Sequence, residues 1–157
     1  MTYSKAIVFV LFLCFLTGIT QAQQTPRLQG VWEMVSQKFD GKDNSFSGRQ
    51  IKLLTRSHFV WVSQDKKSAL ELLAKKTERD SLLAYSGGFG AGTYKIAGTT
   101  YTETLEFFYD PIYIGHSINF TYKLDGDRWL ISGPFPILEG DKKVREFLLE
   151  EVWKRIE

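Results

Sequence analysis

Cysteine is almost missing from this chain, with Cys14 the only one in 157 residues. It lies inside an apolar run, residues 6–16, that follows Lys5 and precedes Thr20-Gln21-Ala22. A basic residue, a short apolar stretch and a small-residue end make the pattern of a secretory signal peptide. Cleavage after Ala22 removes Cys14, so the mature chain is expected to hold no disulfide and no thiol nucleophile. Leu13 in front of Cys14, and the apolar residues that continue beyond it, argue against a lipid anchor. The run is also about half of the ~20 apolar residues that a helix needs to cross a bilayer, so no transmembrane span is expected after signal removal. Residues 1–22 are read as a signal peptide, 23–27 as a flexible leader and 28–157 as one domain, long enough to bury a core without staples. The expected location is outside the cytoplasm, periplasmic or secreted.

Long runs of one charge sign are missing as well. The formal net charge is +2, falling to about +1 without Lys5, and the remaining lysines and arginines are interspersed with acids. That excludes the basic stripe of a nucleic-acid binder. Histidine is scarce: His58 and His116 share no ligand spacing, so no metal and no cofactor is expected. There is no glycine-flanked nucleophilic serine and no paired acid-histidine motif, and no catalytic residue is assigned. Gly87-Gly88-Phe89-Gly90-Ala91-Gly92 is followed by a strand pattern, not a helix, and lacks the N–H donors of a phosphate loop. These glycines read as a close-packed bend.

What the chain does have is aromatic residues, 15% of the total, mostly in segments that alternate with polar ones. Residues 28–39 read as a first strand, followed by a turn-rich loop over 40–44. Residues 49–54 and 58–63 read as a hairpin. Leu70, Leu73, Ala74 and Thr77 recur at helical spacing, so residues 68–83 form one short helix or, alternatively, a polar lid over a barrel mouth. In residues 93–107 a two-residue Gly98-Thr99 turn of type II′ sets Ile96 opposite Tyr101 and Tyr94 opposite Glu103. That register puts Tyr94, Ile96, Tyr101, Leu105 and Phe107 on the inner face, with Glu103 pointing inward among them. A second hairpin runs over 117–124, turns at Asp125-Gly126-Asp127 and returns through 128–132, with Trp129 and Ile131 on the face of Tyr122 for either two-residue turn and on the opposite face for a three-residue loop. Residues 110–116 read as a loop, Gly133-Pro134-Phe135-Pro136 as a break, and 146–156 as a closing strand. About eight strands with short antiparallel connections predict an all-β, up-and-down antiparallel barrel with one short helix or lid.

Leu28-Gln29-Gly30-Val31-Trp32 at one end and Glu151-Val152-Trp153-Lys154-Arg155 at the other resemble the lipocalin-like (calycin) families. With His58-Phe59-Val60-Trp61, Gly92-Thr93-Tyr94 and Tyr101-Thr102-Glu103, the chain looks like a secreted bacterial lipocalin-like group of unassigned function. The resemblance implies a barrel-closing pair, Trp32 against Arg155, a cation–π contact of ~1 to 2 kcal/mol when shielded from water. The threonine-aspartate pair of many true lipocalins is not visible.

An inward carboxylate among aromatic rings is costly to ionise without a partner, so Glu103 is either a ligand anchor or a structural group bonded to a tyrosine or an arginine. The leading expectation is binding of a small apolar or amphipathic ligand by His58, Tyr94, Tyr101, Glu103, Phe107, Phe120 and Tyr122. A second is an envelope interaction protein acting through residues 68–83 and 110–116, its protein partner not identified by the sequence. A third, ranked last, is a barrel enzyme that joins Glu103 to His58 as an acid-base pair, which requires both groups to reach one pocket.

Overall fold

Alternation of apolar and polar residues gives each strand one dry face, and eight such strands hide those faces here by curling the sheet onto itself. The computed structural model describes residues 28–44, 48–75, 77 and 87–157. The predicted signal peptide and leader therefore lie outside the described residues, as does most of residues 76–86.

The strands are β1 (Gly30–Phe39), β2 (Lys42–Asp43), β3 (Arg49–Leu54), β4 (His58–Gln64), β5 (Gly88–Ala97), β6 (Thr100–Phe108), β7 (Ser117–Asp125), β8 (Arg128–Glu139) and β9 (Lys142–Arg155). Every pairing is antiparallel between neighbours, and β1 also pairs with β9 from Trp32↔Arg155 to Phe39↔Leu149. That last ladder closes an eight-stranded barrel, with the two-residue β2 as an appendage on β1.

Both central hairpins have the register expected from their turns. Ile96 faces Tyr101 and Tyr94 faces Glu103 across a Gly98-Thr99 turn, with Gly98 at φ +59°. Tyr122 faces Ile131 and Leu124 faces Trp129 across Gly126-Asp127, with Gly126 at φ +60°. A positive φ at the first turn position is what glycine supplies without a Cβ clash.

Four readings need correction. Phe107 lies on the outside, 62% exposed, because β6 carries a bulge: Ala91 pairs with Phe107 but Gly92 pairs with Leu105, so Glu106 is the extra residue and parity reverses. Residues 87–92 are not a bend but the start of β5, with Gly88 and Gly90 pressed against the Trp61 indole. Residues 133–136 do not break the chain, since β8 runs on to Glu139 and Pro134 and Pro136 pair with Leu148 and Glu146. Among the described residues this section of β8 has no strand partner on its β7 side, where pairing ends at Ser132, and the Pro136 carbonyl there accepts from the Tyr113 hydroxyl at 3.0 Å. A strand edge is where a missing N–H costs nothing. The helix α1 is Lys66–Ala74, capped by Asp65, whose carboxylate accepts from the amides of Lys67 and Ser68; Ala69, Leu72 and Leu73 are its half-buried face. The cap starts the helix two residues earlier than the apolar spacing suggests, and the face turned to the barrel leaves Leu70 exposed.

One end of the barrel is solid. Trp32, Trp129 and Trp153 are fully buried there, with ring centroids 5.5 Å apart for the first pair and 6.1 Å for the second. Leu28 plugs beneath them, its carbonyl accepting from Trp32 Nε1 at 2.8 Å. Arg155 lies over the Trp32 ring at 4.2 Å and donates to the Gln29 carbonyl, tying the first strand to the last.

Candidate functional site

Above the tryptophans the interior is not filled. A cavity of about 550 Å3 runs from mid-barrel to the rim near α1, within the ~300–1,000 Å3 range of small-ligand sites. Its upper wall is apolar: Phe39 from β1, Phe108 from β6, Phe135 from β8, Phe147 and Leu149 from β9, and Leu72 from α1. Phe135 and Phe147 stack at 5.3 Å and Trp61 meets Phe108 edge-on at 5.8 Å. The glycines of β5 make room for that indole, since a Cβ on Gly90 would collide with Trp61 Nε1 and touch Phe108.

The floor is polar, and alternation builds it. On β3, Gln50, Lys52 and Leu54 are the buried positions, so two hydrophilic side chains enter the barrel with the leucine. Glu103 enters from β6 and Glu151 from β9 by the same rule. Lys52 Nζ donates to Glu103 Oε1 at 2.8 Å, with both side chains almost wholly buried. Tyr101 donates to the same oxygen at 2.8 Å. Burial and the adjacent Glu103 charge push the Tyr101 hydroxyl well above its ordinary pKa, so it keeps its proton and remains a donor. The Lys52 ammonium is further enclosed by the rings of Trp153 at 4.8 Å, Trp129 at 5.3 Å and Phe59 at 5.9 Å.

Glu151 accepts from Gln37 at one oxygen, 2.7 Å, and from Trp153 Nε1 at the other, 2.9 Å. Asn44 in turn donates to Gln37 at 2.6 Å. Burial raises the pKa of Glu151, an effect only partly offset by the Lys52 charge and these hydrogen bonds and increased by Glu103. Chemically, the floor is an acceptor-rich patch under an apolar chimney.

The sequence-predicted residues divide into three groups. Glu103 and Phe120 line the cavity. Tyr101 sits one layer below, its ring 5.5 Å from Tyr94, whose hydroxyl bonds the Thr55 carbonyl; Tyr122 is half-buried against the core. His58 and Phe107 are outside: His58 is exposed, its Nδ1 is 2.9 Å from Ser57 Oγ, and both residues flank a groove on the outer wall. Phe59 and Trp61 take the inner positions of β4, so His58 takes the outer parity. The barrel wall therefore separates His58 from Glu103, and the acid-base pairing of the two is withdrawn.

No protein-family model matches this sequence, and no curated protein matches it. Lys52, Gln50, Gln37 and Glu151 were the residues that sequence reading missed. For Lys52 and Gln50 the signal was available, because both share parity with Leu54 within a strand of known limits, yet hydrophilic residues are ordinarily assigned to the solvent face.

Proposed function

We propose that this protein is a lipocalin-like, calycin-type carrier that is exported and holds a small amphipathic molecule inside its barrel. The observation that carries the reading is the contrast within one cavity, aromatic and aliphatic at the rim and polar at the floor. Such a shape takes a ligand with its polar end down and buries the apolar body against the rim, a gain of about 25 cal/mol per Å2 removed from water. The few convergent polar groups below then orient it. Export follows from the pattern of residues 1–22, and a barrel sealed by tryptophans at one end suits a molecule that must be kept from water rather than passed through.

The test is native mass spectrometry of the protein purified from the cells that produce it, followed by denaturation to release what it carries. One small molecule per chain is expected, and Leu149→Trp, which places an indole in the chimney, is expected to lose it. A protein that comes off empty and also takes up no N-phenyl-1-naphthylamine, a neutral apolar dye, overturns the reading.

A further inference from the structure

We infer that the cavity is selective for a cationic headgroup, a protonated amine on an apolar body, held by Glu103, Glu151 and Gln50. This rests on the carrier reading and says which amphiphile is carried. Among the described residues that line the cavity, Lys52 is the only cation, against the two carboxylates of Glu103 and Glu151. Its charge is already engaged: one donor goes to Glu103 at 2.8 Å and three aromatic rings enclose the ammonium. An anionic headgroup would find no free cation and two carboxylates facing it, whereas a cation supplies the charge that the floor is short of.

The hydrogen-bonding capacity left over points the same way. Both protein donors to Glu103 fall on Oε1, which leaves Oε2 without one among the described residues. The Gln50 side chain is nine-tenths buried, lines the cavity and makes no hydrogen bond among the described residues. Gln50 offers both an amide oxygen and an NH2 group, whereas Glu103 Oε2 and the remaining lone pairs of Glu151 are acceptors only, and an ammonium is a group of three donors with no acceptor. These atoms open onto the cavity, where a ligand can use the hydrogen-bonding capacity that no described protein group takes up.

Glu151 makes the binding pH-dependent. The groups facing it are Gln37 from β1, Lys52 and Gln50 from β3, Tyr101 and Glu103 from β6, and Trp153 on its own strand; β7 and β8 contribute Ile118, Phe120 and Ile131, which do not titrate. Burial holds the Glu151 carboxyl above its ordinary value, so it holds its proton more tightly than a free carboxyl does. A bound ammonium favours the ionised form, and affinity therefore rises with pH until the amine itself deprotonates near ~10.

The experiment is calorimetry of the mature protein with decylamine, 1-decanol and decanoate at pH 5 and pH 8. Decylamine is expected to bind at least about tenfold more tightly than either of the others at pH 8, as charge-assisted hydrogen bonds imply. Its advantage is expected to shrink at pH 5 and to lose its pH dependence in Glu151→Gln. Gln50→Leu removes no partner from the protein and serves if Glu151→Gln fails to fold; it is expected to weaken decylamine about fivefold and leave decanol within about twofold. Equal binding of the three, or preference for decanoate or decanol, overturns the amine inference while leaving a carrier. Binding of none of them overturns both.

Discussion

Replacing Lys52 with methionine leaves the Glu103 carboxylate buried without its cation, and the loss expected for breaking such a pair is about 3 to 5 kcal/mol. Lys52→Met with Glu103→Leu removes both charges and is expected to recover much of it, because the buried pair contributes little net stability compared with apolar side chains of similar size. Urea denaturation of the two single variants and the double variant checks this; additive losses would mean that the 2.8 Å contact is not coupled. Glu151 links stability to pH. Its pKa is raised in the folded state, so the folded protein binds more protons than the unfolded one between the ordinary and the raised values. Stability therefore falls as pH rises through that window and levels off above it. Melting temperatures of the wild type relative to Glu151→Gln, measured from pH 4 to pH 8, are expected to drop along that course. Glu103 was legible in the sequence because its place opposite Tyr94 follows from the Gly98-Thr99 turn. Glu151 was not, because its parity depends on pairing with strands far away in sequence.

At the scale of the elements, β5 and β6 decide the shape of the site. Gly90→Ala places a methyl group against Trp61 and Phe108, and an overpacked core position of this kind is expected to lose about 1 to 3 kcal/mol. The measurement is the denaturation midpoint, and an unchanged midpoint would mean that the indole has room to move. The bulge at Glu106 is the element that sequence alternation could not reveal. A strict two-residue period carries Phe107 inward, and only the register shift against Gly92 turns it out and brings Phe108 in. The prolines of β8 misled in a similar way. They interrupt a strand only where their nitrogen must donate, and at Pro134 and Pro136 the β7 side has already ended.

For the whole molecule, closure is the governing fact, because the β1–β9 ladder pairs the first long strand with the last and joins segments more than a hundred residues apart. Arg155→Ala removes the contact over Trp32 and the bond to the Gln29 carbonyl together. It is expected to cost about 2 kcal/mol, seen as a lower urea midpoint, with ligand affinity little changed because the cavity lies beyond the tryptophan layer. A proportionate loss of affinity would instead show that the closed end and the cavity are coupled. By itself the sequence determined most of the strands, their short antiparallel connections and the registers of two hairpins, since these rest on local turn chemistry and on a period of two. It also determined the inward carboxylate. Tertiary structure alone decided that the barrel is open above its tryptophans, that Lys52 meets Glu103, and that His58 stands on the far side of the wall. Those are matters of which faces a closed sheet brings together, and a cavity is defined by side chains from strands that never meet along the chain.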